Sequence, residues 1–253
     1  MTQQGADPPA VWRARPHVRV TDEGRTVREV LSYTRRSGSM SAQQAQAWAR
    51  RSGEWWIPDS VGDSVADSAS TAGFDVHECF GGQAPLVVEI GSGIGEATTA
   101  LAAARPSYNV LAFEVWRPGI AQTFQRLEAV GADNVRMVSV DAAWWMEHLL
   151  ASASVRELWT FFPDPWPKRR HHRRRLVNPE FARMAAGRLE PEGRWRLATD
   201  WPEYAEHMAA VLDAEPLLHG GVVERWADRP VTRYERRGIR AGHPVTDLSY
   251  TRR

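Results

Sequence analysis

Lysine is almost missing from this 253-residue chain: 32 of its side chains are Lys or Arg, and reading the sequence leaves Lys168 as the one lysine among 31 arginines. A composition that has replaced lysine everywhere else and kept it there marks a position that uses a compact ammonium rather than a planar guanidinium. Cysteine is as scarce. Cys79 stands alone, which excludes an internal disulfide and a cysteine-built zinc site and favours a reducing compartment. No apolar run approaches the roughly 20 residues of a membrane helix, and the opening MTQQGADPPA has neither region of a secretory signal. These features point to a cytoplasmic protein with no membrane partner. Charge of one sign is missing locally as well: residues 54–104 hold acids but no Lys or Arg. By contrast, residues 13–51 carry nine Arg against Asp22, Glu23 and Glu29, and residues 225–253 carry eight Arg against three acids. The formal net charge is only +1, yet its segregation suits one face turned to a polyanion.

What is present has the composition of a globular protein, 43% apolar and 25% charged, long enough for one domain with an appendage. Residues 1–24 are punctuated by Pro and Gly without a period and read as a loosely held tail. A basic extension follows over 25–58, in which Ser41 is placed to cap a helix through Arg50. The small, acidic stretch 59–73 (DSVGDSVADSASTAG) reads as a flexible loop, and 74–253 as the core. In that core short apolar runs at 86–90, 109–115, 135–140, 157–162 and 194–198 alternate with helical patterns at about 95–104, 117–130, 142–151, 178–188 and 202–213. Such alternation predicts a parallel sheet covered on both faces. Candidate strands near 221–226 and 246–251 would complete its far edge.

The first of these strands runs into Glu89-Ile90-Gly91-Ser92-Gly93-Ile94-Gly95-Glu96. Gly91, Gly93 and Gly95 let the backbone turn sharply and approach a ligand at a helix N-terminus. The spacing departs from the dinucleotide fingerprint, because Glu96 occupies its sixth position and would repel a pyrophosphate together with Glu89. A ligand carrying an amino or sulfonium cation meets no such repulsion. Glu114 follows the second strand at the distance where a carboxylate accepts ribose hydroxyls, and Asp141 ends the third, placed to accept from an adenine amino group. Acids at three consecutive strand ends point to S-adenosylmethionine. The fourth strand ends in Phe161–Arg175, FFPDPWPKRRHHRRR, where Asp164 sits in a proline-locked turn across the same crevice. Concentrated positive charge follows at once. Locally, Asp200 before Trp201-Pro202 reads equally as a helix N-cap or a ligand, and Thr232–Glu235 as a surface loop or a base-contacting one. The eight histidines show no metal-ligand spacing, so no metal is expected.

EIGSGIG, FEV, Asp141, FFPDPWPK with its basic extension, LATDWPEYAEHM and RPVTRYERRG followed by GH resemble the bacterial tRNA (guanine-N7-)-methyltransferase family from about Arg25 to the C-terminus. The resemblance implies a Rossmann-like class I S-adenosylmethionine-dependent fold, with a mostly parallel doubly wound sheet and an antiparallel edge. It implies methylation of the guanine commonly numbered 46 in the tRNA variable loop, by a monomer or homodimer. Cofactor contacts would fall on Glu89, Gly91, Gly93, Gly95, Glu114, Asp141 and Asp164, with Asp164 the active-site residue. Substrate contacts would fall on Lys168, Asp200, Thr232, Arg233, Tyr234 and Glu235, and RNA contacts on Arg170, His171, His172, Arg173, Arg174 and Arg175. The two histidines would extend the basic patch. On this basis, charge removal at Arg173–Arg175 should raise the KM for tRNA more than it lowers kcat. Ser92 stands where the family often has an aromatic, and Trp144 and Trp145 are unusual in their helix. Two alternatives remain: a non-catalytic RNA-binding protein of the same fold, and a nicotinamide-dependent oxidoreductase, against which Glu96 and the basic run count.

Overall fold

A computed structural model describes residues 18–20, 26–28, 31–33, 38–58 and 74–253. The rest of the expected 1–24 tail, and the 59–73 loop, lie outside the described residues. Residues 1–31 and 32–253 form two compact units. In the first, Val18–Val20 (β1) and Thr26–Arg28 (β2) pair antiparallel, with Val20 opposite Thr26.

In the second unit, Ala42–Trp55 (α1) starts at Ser41, whose hydroxyl accepts from the Gln44 N–H while the Gln44 side chain accepts from the Ser41 N–H. This reciprocal cap satisfies two donors that the first turn would leave open. The helix runs past Arg50, where the sequence pattern had ended it, into the two-residue strand Trp56–Ile57 (β3). Strands Leu86–Ile90 (β4), Asn109–Phe113 (β5), Val135–Val138 (β6), Val155–Phe161 (β7), Leu189–Thr199 (β8), Leu218–Val223 (β9) and Thr246–Arg252 (β10) follow. Between them lie Glu96–Ala104 (α2), Arg117–Val130 (α3), Ala142–Leu149 (α4), Pro179–Arg188 (α5), Pro202–Asp213 (α6) and Arg233–Arg240 (α7).

The eight strands lie in the order β3-β6-β5-β4-β7-β8-β10-β9. Pairing is parallel from β3 to β8, and β10 runs antiparallel between β8 and β9. This is the doubly wound α/β arrangement with an antiparallel edge. Because alternate residues of a strand point to opposite faces, Leu86 and Val88 pack with α4, α5 and α6, while Val87 joins the core under α1, α2 and α3. Both faces are covered, so in LVVEI and NVLAF the apolar residues stand side by side rather than alternating with polar ones.

Register sets the position of the site. Ile90 pairs with Phe113 and with Thr160, so β4, β5 and β7 end together, and the strand order turns back at β4. A crevice opens outside the carboxyl ends of the strands at such a switch point. Other elements also differ from the sequence pattern, among them β9, which runs over Leu218–Val223 rather than 221–226. β8 begins at Leu189, five residues before the expected strand, because Pro191-Glu192-Gly193 is taken up as an irregularity with Glu192 at φ 63°. An eight-residue helix, α7, replaces the surface loop expected around Thr232. Among the described residues no helix is long and apolar enough to cross a membrane.

Candidate active site

The donor side is built by the turn between β4 and α2. Glu89, on β4, is 2% exposed, and its Oε2 has no hydrogen-bond partner. Burial pushes its carboxyl up to about 7; the neighbouring Thr98 hydroxyl pulls the other way and the Glu114 charge adds to the rise. Gly91 and Gly93 stand at φ 80° and 61°, and a Cβ on either would project into open space. Their backbones can therefore come against a ligand that a side chain would exclude. Glu114 fastens this turn to β5: one carboxylate oxygen accepts from Gly93 N at 2.7 Å and the other from Trp116 N at 2.8 Å. Asp141 caps α4 through Trp144 N at 3.0 Å, which leaves its second oxygen for a ligand.

The acceptor side is the turn after β7. Phe162 and Trp166 take left-handed backbone conformations at φ 53° and 46°, and Asp164 lies between them, exposed. Two such residues cost on the order of 1–3 kcal/mol each and persist only where their surroundings hold them. The holding contacts come from distant segments. Phe162 N donates to Ala198 O of β8 at 2.7 Å, Trp166 Nε1 to Ser32 O at 2.9 Å, and Arg175 Nε to Pro165 O at 2.9 Å. Arg174 stacks on Trp166 at 3.5 Å and donates to Tyr33 O at 3.0 Å. Beyond the turn, Lys168 begins a 3-10 helix over Arg169–Arg174 on which Arg169, Arg170 and Arg173 are exposed.

Arg175 departs from the RNA-contact role expected of it. It is 2% exposed, faces inward, and reaches Glu203 at 3.2 Å besides Pro165, so it braces the turn. His171 departs in charge: desolvation and the positive field of Arg170 and Arg174 hold it below its ordinary value, which disfavours its charged form.

Helix α7 closes the crevice from the C-terminal side. Thr232 caps it through Glu235 N at 3.2 Å. Tyr234 packs its ring on Phe162 at 5.2 Å, and its hydroxyl donates to Asp200 at 3.4 Å. Burial and the Asp200 carboxylate push that phenol up, which keeps it a donor. Asp200 also meets His243 at 3.5 Å and is not a helix cap, because α6 is capped by Trp201 without a side-chain bond. Glu235 points away from the crevice. It is buried between Arg225 and Arg229, and Arg229 continues to Asp247 of β10 at 2.8 Å. Direct substrate contact from the Glu235 side chain is therefore replaced by a bracing role. Glu96 accepts from Arg233 N and lies 3.5 Å from both Arg126 and Arg236, so its charge is compensated rather than presented to the crevice.

An acid-lined cleft, a buried carboxylate with one unpartnered oxygen and a basic ridge thus meet at one end of a doubly wound sheet. A family described as "Putative methyltransferase" matches residues 83–248. A tRNA (guanine-N(7)-)-methyltransferase of Nocardioides sp. is 57% identical over 97% of this chain and 96% of its own length. One from Cutibacterium acnes is 46% identical over 90% of this chain and 85% of its own. The chain belongs to the tRNA (guanine-N(7)-)-methyltransferase family. The crystal structure of the 16S rRNA methyltransferase KamB shares the fold at a TM-score of 0.50 and 17% identity, covering 78% of this chain and 94% of that one.

The residues present fit the donor that this family's chemistry requires. Glu89 Oε2 and Ser92 Oγ are buried without hydrogen-bond partners beside the cradle left by Gly91 and Gly93. A buried carboxylate without a partner is costly unless a cation or donor meets it. Sequence patterns did not reveal Gly119, where a Cβ would overlap the Gly93 carbonyl oxygen, so that α3 can seat the turn only with glycine there. Its Pro118-Gly119 pair reads as an ordinary helix start. Arg229 and His243 were missed too; each acts through a partner that is distant in sequence.

Proposed function

We propose that the acceptor of this S-adenosylmethionine-dependent methyltransferase is N7 of guanine 46 in the variable loop of tRNA, modified in the cytoplasm. The observation that carries this is the opposition, at the ends of the adjacent strands β4 and β7, of Glu89 with its free buried oxygen and Asp164 on a braced turn that leads into Lys168 and the exposed arginines. S-adenosylmethionine supplies a methyl group already activated on a sulfonium. Glu89 would hold its cationic amino acid portion, Glu114 its ribose hydroxyls, Asp141 its adenine amino group, and Gly91, Gly93 and Gly95 its backbone-facing side.

Guanine N7 carries an in-plane lone pair and no proton, so the protein need not supply a general base. Its work is to position the base and to match the charge that moves to it. Asp164 can accept from guanine N1–H and N2–H, which turns N7 to the donor, and its charge offsets the positive charge gained by the purine. Tyr234 and Asp200 would border the base, Thr232 and Arg233 would hold the start of α7 against it, and Lys168 would neutralise a nearby phosphate. Arg170 and Arg173 would grip the backbone, with His171, His172 and Arg174 beside them. Such contacts position RNA without reading its sequence.

The deciding assay incubates the protein with labelled S-adenosylmethionine and two tRNAs that differ only in guanine or adenine at position 46. Label should enter the guanine form alone. Equal labelling of both would refute the site of modification, and labelling of neither would refute the activity.

A further inference from the structure

Among the side chains of the outward face of α7, the contacts above use only that of Arg236. Arg233, Arg236, Arg237 and Arg240 lie on it at helical spacing and are exposed, whereas Glu235 and Gly238 form the buried stripe. Arg236 reaches Glu96 at 3.5 Å; Arg233, Arg237 and Arg240 form no ion pair with any acid among the described residues. On the flanks of the helix, Tyr234, 43% exposed, turns its ring to Phe162 and Asp200, and Ile239, 52% exposed, lies on the opposite flank. The helix starts against the acceptor turn through Tyr234 and Phe162, so this ridge flanks Asp164 on the side of the crevice reached through α7. The exposed arginines of the 3-10 helix follow Asp164 directly in the chain.

We propose that the outer face of α7 is a second docking surface for RNA, taking the sugar–phosphate backbone of the same tRNA where it leaves the acceptor crevice. Exposed arginines on one helix face, of which only Arg236 is in an ion pair among the described residues, suit phosphates. An acidic protein would also meet the charge. RNA is favoured because a polymer that delivers its base to Asp164 has to continue past the helix that borders it. The inference rests on the tRNA substrate proposed above.

The test uses the full chain with Arg237→Glu and Arg240→Glu combined. The control combines Arg194→Glu with Arg253→Glu, which make the same charge change towards the other end of β8 and β10. Thermal midpoint and S-adenosylmethionine affinity check that each variant is folded, and Arg237→Gln with Arg240→Gln provides a milder pair. Expected for the α7 pair are a tRNA KM raised about tenfold or more, kcat within twofold, and a shallower dependence of log K on log salt, by roughly one for each phosphate no longer neutralised. The control pair should show far smaller changes. Wild-type tRNA affinity and salt slope in both α7 pairs would overturn the surface and leave the face to a protein partner. So would a fall in kcat at unchanged KM. If the wild type labels no tRNA, the methylation itself fails, while the salt titration of RNA binding still decides the docking face.

Discussion

Between β4 and α2 the chain turns on three glycines and is held by segments that follow it in sequence; between β7 and the Lys168 helix it turns on three prolines and is held by segments on both sides, as far back as Ser32. The first turn is fastened by Glu114 and Gly119, both on the elements that follow it, and its working carboxylate is buried. The second is braced by Ser32, Tyr33, Ala198, Arg175 and α7, and its working carboxylate is exposed. A donor pocket for a small cation needs dry, fixed walls. An acceptor side that admits a macromolecule must stay open and takes its rigidity from behind.

The contrast is broken most directly at Asp164. Asp164→Asn should lower kcat by roughly 10²–10³ while cofactor affinity changes much less, as equilibrium binding and single-turnover rates would show. An equal loss in both would move Asp164 to the donor side. Its kcat should show no limb reporting proton abstraction from the base. Next in size, Glu89→Gln should weaken cofactor binding by about 10–100-fold, the equivalent of a charged hydrogen bond of about 1.5–3 kcal/mol.

Glu89 also carries a pH signature. Its carboxyl stands at about 7 in the free protein, so a cation that needs it ionised expels a proton on binding. Wild-type cofactor affinity should therefore rise with pH up to about 7 and level off above it, and calorimetry in buffers of different ionisation heat should report the released proton. Stability of the ligand-free protein runs the opposite way. An acid raised on folding keeps its proton in the folded state and loses it first in the unfolded state, so stability falls between about pH 4.5 and 7, on the order of 3 kcal/mol. Glu89→Gln should flatten both profiles. Gly119→Ala sharpens the same side through packing: the added methyl meets the Gly93 carbonyl, and a loss of about 1–3 kcal/mol in chemical unfolding is expected, with tRNA affinity retained.

The same division explains what could be read from the chain. β4, α3 and α6 fall at the residues that the apolar pattern indicated, and a parallel sheet covered on both faces follows from strict alternation. Glu89, Glu114 and Asp141 were placeable because each ends or adjoins a strand of a parallel sheet, where register alone brings them together. Helix α7 was not, since TRYERRGIR has only Tyr234 and Ile239 as large apolar side chains, both exposed, and its inner face is an ion pair, Glu235 with Arg229. A charged inner face carries no hydrophobic period. Arg175 was misassigned for a related reason: it continues the run Arg173-Arg174 without a break, and only the fold turns it away from them.

That run gives the finest test of the comparison, because adjacent arginines should fail in different ways. Arg173 is exposed on the 3-10 helix, and Arg173→Ala should raise the KM for tRNA by a few-fold, the effect of one phosphate contact, with a shallower salt dependence and kcat preserved. Arg175 is buried and holds the Pro165 carbonyl one residue from Asp164. Arg175→Met keeps much of the volume but leaves that carbonyl without its donor. A loss of about 1 kcal/mol, roughly a factor of five, should therefore fall on stability and kcat, while the salt dependence of tRNA binding stays as in the wild type. Steady-state kinetics at two salt concentrations separate the two outcomes. If Arg175→Met instead raised KM and flattened the salt dependence as Arg173→Ala does, the guanidinium would be reaching RNA, and the acceptor turn would be held by one brace fewer than its contacts indicate.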